Sequence, residues 1–164
     1  MMDSKIAPVS AGSTVSPIFA GIDAGASELL LVIRQGGVSM KAQSFDNTPA
    51  ERQRLLKRPA KLPGLTLRLE ATGVYYLDLS LALRDAGIRF SVLNPKASHN
   101  FAKVLLRSSK TDPVDADTSA QYAERMPFQA WVRPSDHALA LCALPVVFMP
   151  SRIIRPLLKI SCIR

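Results

Sequence analysis

Four carboxylates lie far apart in the chain, each where a fold would deliver it to a shared edge. Asp23 follows Gly21-Ile22, Glu70 precedes Ala71-Thr72-Gly73, and Asp112 and Asp115 lie within Lys110-Thr111-Asp112-Pro113-Val114-Asp115-Ala116. Asp23 ends an apolar run that reads as a buried strand, and Glu70 ends the alternating segment Leu65 to Leu69. Asp112 and Asp115 open a predicted helix, and a spacing of three residues puts both on one helix face. In a sheet with parallel neighbours, strand ends on one edge converge on the crevice where ligands bind. Clustered carboxylates repel one another and need cations to be tolerable. Donors that are all oxygen select hard ions, here Mg²⁺ or Mn²⁺. Two such ions about 3.5 to 4 Å apart can activate a nucleophile and stabilise the leaving oxygen of an in-line phosphoryl displacement.

Each acid also has an ordinary explanation. Asp23 reads as a strand-end turn residue, Asp112 as an N-cap, Asp115 as a partner of the helix dipole in the first turn, and Glu70 as a paired acid. The four together are harder to dismiss than any one. Glu70 is the least easily explained alone, because a strand with a core face has no reason to end in an acid that meets no cation.

The chain has 21 Lys and Arg against 13 Asp and Glu, a net charge of +8 that suits a polyanionic partner. Lys96, Lys103 and Arg107 fall on a predicted helix, and Lys110 stands beside the paired aspartates. These four could follow a phosphate backbone without reading sequence, or form a solvated helix face. A second basic stretch runs through Arg52, Arg54, Lys57, Arg58 and Lys61. His99 is expected to be exposed and has no assigned role. Tyr75 and Tyr76 could stack on bases, although core packing of at least one is the simpler expectation.

The elements that must position these residues follow from periodicity and punctuation. Ile18 to Asp23, Glu28 to Arg34 and, after Gly36-Gly37, Val38 to Phe45 are expected as a three-strand meander. Thr48-Pro49-Ala50-Glu51 carries the marks of a helix start, and Pro59 and Pro63-Gly64 end that helix. Then come a strand to Glu70, a helix from Tyr75 to Ala86 stopped by Gly87, a strand from Arg89 to Leu93, a helix from Lys96 to Leu106 and a helix from Asp112. Ala116, Ala120 and Ala123 give the last a small, closely packing face. Three strands followed by alternating helices and strands describe an α/β mixed sheet on the RNase H-like plan.

At 48% apolar residues in 164, the chain supports one good core. Residues 1–17 read as a flexible leader, 18–125 as the domain, 126–141 as a linker and the start of a following helix, and 142–164 as an aberrant tail. Cys142 and Cys162 have neither zinc nor disulfide spacing, and a reducing cytoplasm is the expected compartment. Prolines and Arg152 interrupt any membrane span of roughly 20 apolar residues in the tail.

Gly21-Ile22-Asp23, Glu70-Ala71-Thr72-Gly73-Val74-Tyr75, Asn94-Pro95 and Lys110-Thr111-Asp112-Pro113-Val114-Asp115-Ala116 resemble, in order and spacing, the catalytic blocks of the IS-one-ten and Piv-type DEDD transposases. The resemblance runs from about Ile18 to about Leu141. It implies that Asp23, Glu70, Asp112 and Asp115 form the metal-binding tetrad of a RuvC-like domain that uses Mg²⁺ on DNA. It further implies guidance by a structured RNA of the element and a homo-oligomeric full-length family. Family members also carry a carboxyl-terminal domain with a nucleophilic serine, for which this chain has no room. Leu144 to Arg164 departs from the family's long polar helix and is expected to be read out of frame after a frameshift.

Three other readings stay open on the sequence. A RuvC-type junction resolvase would use the same four acids. A non-catalytic nucleic-acid-binding remnant follows if the absent domain is essential. Gly21-Ile22-Asp23-Ala24-Gly25 also resembles a phosphate loop of actin-like sugar kinases, but the second glycine-rich loop those enzymes require is missing.

Overall fold

The computed structural model describes residues 16–71, 75–105 and 112–143, without the side chains of Asp112 and of residues 141–143. Arg107, Lys110 and the 144–164 tail lie outside the described residues, as does most of the 1–17 leader.

β1 (Ile18–Ala24) and β2 (Glu28–Gln35) form an antiparallel hairpin in which Asp23 faces Leu30 and Ile18 faces Gln35. Gly36 and Gly37 both have positive φ, 57° and 80°, as the tight reversal after β2 requires. The third strand expected over Val38 to Phe45 is in fact two pieces, β3 (Val38–Ser39) and β4 (Gln43–Asp46), both antiparallel to β2. The cause is a shift of register: Arg34 faces Ser39 but Leu31 faces Gln43, so Val32 and Ile33 are opposed by Met40, Lys41 and Ala42. One extra residue makes a bulge, and continuous pairing is lost there.

β5 (Thr66–Glu70) lies parallel to β1, and β6 (Phe90–Leu93) parallel to β5. The sheet order is β3-β2-β1-β5-β6, with β4 also on β2. An antiparallel meander joined through its first strand to parallel strands is the RNase H-like plan expected from the element order.

α1 (Pro49–Leu56) starts as its signature demands, with the Thr48 side chain accepting from Glu51 N at 3.3 Å and Pro49 in the first turn. Glu51 does not complete the expected box. Its carboxylate takes Arg54 at 3.1 Å, while the Thr48 N–H donates to Asp46 O. α2 (Tyr76–Asp85) ends at Gly87, with φ of 68°. α3 (Pro95–Val104) is capped by Asn94, whose side chain accepts from Lys96 N at 2.9 Å. α4 (Asp112–Arg125) and α5 (Asp136–Ala143) follow. No helix among the described residues is long and apolar enough to cross a membrane.

The two sheet faces are covered differently. On one, Ala20, Ile22, Leu29, Leu31, Leu67 and Leu69 pack with Leu55 and Leu56 of α1 and Leu79 and Leu83 of α2. Burying each of these leucines contributes about 2 kcal/mol. On the other, Leu30 and Val32 meet Ala116 and Ala120 of α4, which are both fully buried. β2 is thus apolar on both sides because it is covered on both sides. The segment expected as a linker has no helix or strand between Pro127 and Ser135. It is nevertheless held to the sheet edge: Trp131 N donates to Phe90 O at 3.1 Å, and the two rings lie 5.3 Å apart.

Candidate metal and nucleic-acid site

Asp23 and Glu70 are neighbours across two parallel strands. Ile22 pairs with Leu69, so the residues that follow each occupy adjoining positions at the carboxyl ends of β1 and β5. Side chains alternate along a strand. Ala20 and Ile22, like Leu67 and Leu69, belong to the large core, which puts Asp23 and Glu70 on the opposite face, under α4.

Gly21 shows how close that helix comes. A methyl group there would overlap Ala116 O and Ala120 N, so only glycine lets the backbones of β1 and α4 touch. The helix runs against β1. Ala116 is beside Gly21, while Glu124, two turns later, pairs at 2.7 Å with Arg34, the register partner of Phe19. Its first turn, with Asp112 and Asp115, therefore lies toward the end of β1 that carries Asp23. Asp115 is half-buried, as are Asp23 and Glu70.

α3 reaches the same edge. Glu70 pairs with Leu93 at the end of β6, and Asn94 then starts the helix. Ser98, 5% exposed, donates to Glu70 Oε2 at 2.9 Å. Glu70 is thus a positioned acceptor. Among the described residues, no group of three or more His, Cys, Asp or Glu side chains is arranged to hold a metal ion. The fourth acid of the expected set, Asp112, has its backbone at the start of α4 but its side chain outside the described residues.

Lys96 and Lys103 are exposed on α3, seven residues apart and so on one side of the helix. His99 is exposed too. Tyr76 is buried at 2% exposure, and burial raises its hydroxyl pKa to about 12, while Tyr75 is exposed. Of the two tyrosines, core packing claims Tyr76.

Several polar residues near the site did not stand out in the sequence. Arg68, on the same strand face as Glu70, is 3% exposed. It donates to Met126 O at 3.1 Å and Pro127 O at 2.5 Å, and its guanidinium lies 5.1 Å from the Tyr122 ring centroid. Burial lowers its pKa, and the nearby Tyr122 opposes that shift. A cavity of about 260 Å³ between α4, β6 and the 127–132 segment is lined by Arg68, Asn94, Tyr122 and Trp131. Midway along α4, Ser39 bridges Arg34 and Asp117, and Gln121 donates to Asp117 at 3.0 Å. Alternation in Leu-Arg-Leu-Glu put Arg68 and Glu70 on one face, but nothing in β5 signals that a helix covers it. Ser98 had a clearer signal, as a small polar residue one turn into a helix capped by Asn94.

No functionally curated protein matches the chain. Among solved structures it is similar to RuvC of Thermus thermophilus in complex with a Holliday junction substrate, with 14% identity, a TM-score of 0.45, and coverage of 66% of this chain and 95% of that one. A second structure of Thermus thermophilus RuvC gives 16% identity, a TM-score of 0.45, and coverage of 65% and 95%. The family model for the DEDD transposases of the IS110 type, described as transposase, matches residues 20–146. That span takes in all four acids, both strand ends and the helix packed on Gly21, and the chain belongs to this transposase family.

Proposed function

We propose that this chain is the metal-dependent DNA-cleaving and strand-transferring domain of an insertion-sequence transposase. The observation that carries the reading is the adjacency of Asp23 and Glu70 at the ends of two parallel strands, under the first turn of the helix that supplies Asp112 and Asp115. The donor set fits a hard divalent ion, since every candidate ligand is a carboxylate oxygen. Asp23, Glu70, Asp112 and Asp115 would hold Mg²⁺ or Mn²⁺. When bound, the metal would supply activation of a nucleophile and stabilisation of the leaving oxygen.

The chain's own residues do the rest. Ser98 holds Glu70 by its Oε2. Gly21 lets α4 approach so closely that its first turn reaches the strand ends. Lys96 and Lys103 of α3, with Arg107 and Lys110 after it, supply charge for a phosphate backbone beside the acids. A structured guide RNA, a homo-oligomeric assembly and a separate serine-bearing domain belong to this reading through the family.

The test is incubation of the full chain with duplex DNA carrying the ends of an insertion sequence and Mg²⁺. Cleavage that disappears with chelator and with Asp23→Asn supports the reading. Binding without metal-dependent cleavage, equal in parent and Asp23→Asn, would instead mark a nucleic-acid-binding remnant.

A further inference from the structure

Half of the chain's net charge is concentrated in eleven residues on a different segment from the carboxylates. Between Glu51 and Lys61 there are five basic residues and one acid, a local charge of +4 against +8 for the whole chain. These residues run through α1, the two residues Lys57 and Arg58 that leave it, and the 3-10 turn Pro59–Lys61 that follows. Leu55, Leu56 and Pro59 are buried and fasten this segment to the core face formed with α2, the face opposite α4. The basic side chains are therefore presented from an ordered platform.

Arg52 and Arg54 have carboxylate partners, Asp78 at 3.3 Å and Glu51 at 3.1 Å. Lys57, Arg58 and Lys61 are exposed, and no ion pair engages them among the described residues. Lys61 N donates to Arg58 O at 3.1 Å, which brings these two residues into one turn with Lys57 beside them. The helix dipole favours a base in the last turn of α1, where Arg54 stands. Lys57 caps the helix, and Arg58 and Lys61 lie beyond it.

We propose that the α1 and 3-10 segment is a second nucleic-acid backbone site, in which Lys57, Arg58 and Lys61 engage the phosphates of a duplex, on the side of the sheet away from Asp23 and Glu70. Contacts of this kind hold a duplex by its phosphates and carry no sequence information. A polyanion held there does not compete with one lying along α3, so the domain can hold two nucleic-acid segments at once.

The experiment measures binding of a 20-base-pair duplex to the full chain across a salt series. Each phosphate contact contributes about 0.9 to the slope of log K against log salt for B-DNA. The triple variant Lys57→Gln/Arg58→Gln/Lys61→Gln should lower the slope by about 2 to 3, whereas the charge-matched Lys41→Gln/Arg125→Gln/Arg133→Gln should lower it by less than about 1. Equal losses in the two variants, or none in the first, would overturn the proposal. Duplex DNA and duplex RNA are run in parallel to identify which polyanion the site prefers. Thermal stability with Mg²⁺ is read on the same samples: the Lys57 triple should keep any metal-dependent gain, and Asp23→Asn should keep the salt-slope difference. The basic site and the metal reading therefore stand or fall separately.

Discussion

Ser98 on α3 and Glu70 on β5 are 28 residues apart and joined by a hydrogen bond of 2.9 Å from the serine hydroxyl to Glu70 Oε2. The bond fixes the carboxylate at the end of the parallel strands where Asp23 stands next to the last residue of β1. If Glu70 is a metal ligand, this partner orients it. Ser98→Ala should then weaken Mg²⁺ or Mn²⁺ binding by about 10-fold or more while leaving the fold intact. Calorimetric titration of the two proteins with Mn²⁺ checks it.

Gly21 is a backbone contact point rather than a turn residue. Gly21→Ala drives a methyl group into Ala116 O and Ala120 N, and neither backbone atom can rotate away. The expected cost is about 1 to 3 kcal/mol. Gly21 is also the hinge of the site's geometry, so displacing α4 should weaken metal binding with stability. Gly64→Ala is the control, because nothing lies within 4 Å of a methyl there and only the positive φ of 75° opposes it. Urea midpoints of both variants should fall, but only Gly21→Ala should weaken metal binding as well.

The contrast between these residues shows what a sequence carries. Asp23, Glu70 and the Asp112–Asp115 pair were visible because each ends or begins an element whose periodicity is plain, and the small face of Ala116, Ala120 and Ala123 foretold a close helix. Gly21 belonged to the recognised motif, yet its reason, contact with a helix about 95 residues later, is a tertiary fact. Thr66, Arg68 and Glu70 formed a polar strand face that could equally have met water. The bulge opposite Val32 and Ile33 was hidden for a related reason: Met40, Lys41 and Ala42 do not announce a change of register, and only the pairing of both flanks with β2 exposes it.

Arg68 ties the chain after α4 to the sheet through two carbonyls and through Tyr122 and Phe128. Arg68→Ala should release residues 126–132 while the sheet persists. Trp131 is the single tryptophan of the chain and packs on Phe90, so its emission reports the release directly. A red shift in native buffer, without loss of far-ultraviolet dichroism, is the expected result.

Tyr76 sets an alkaline limit on stability. Burial raises its pKa to about 12 against 10.0 for the ordinary side chain, so between those values the unfolded chain releases a proton that the folded chain keeps. The unfolded state then binds fewer protons, and stability must fall as pH rises. The contribution is fully present below about pH 10 and is lost progressively toward pH 12, on the order of 3 kcal/mol in all. Tyr76→Phe should flatten that part of the profile relative to the parent, as measured by urea unfolding at pH 9, 10 and 11.

The central claim is that Asp23, Glu70, Asp112 and Asp115 close on a divalent ion, and thermal unfolding of the full chain against Mg²⁺ or Mn²⁺ tests it most directly. At 100 times the dissociation constant, binding to the folded state alone adds about 2.7 kcal/mol, and each kcal/mol moves the midpoint by roughly 2 to 8 °C. The account predicts a concentration-dependent rise in the parent that is lost in Asp23→Asn and Asp112→Asn, with neither variant responding to metal or chelator. No metal-dependent rise in the parent, or an equal rise in all three proteins, would contradict it.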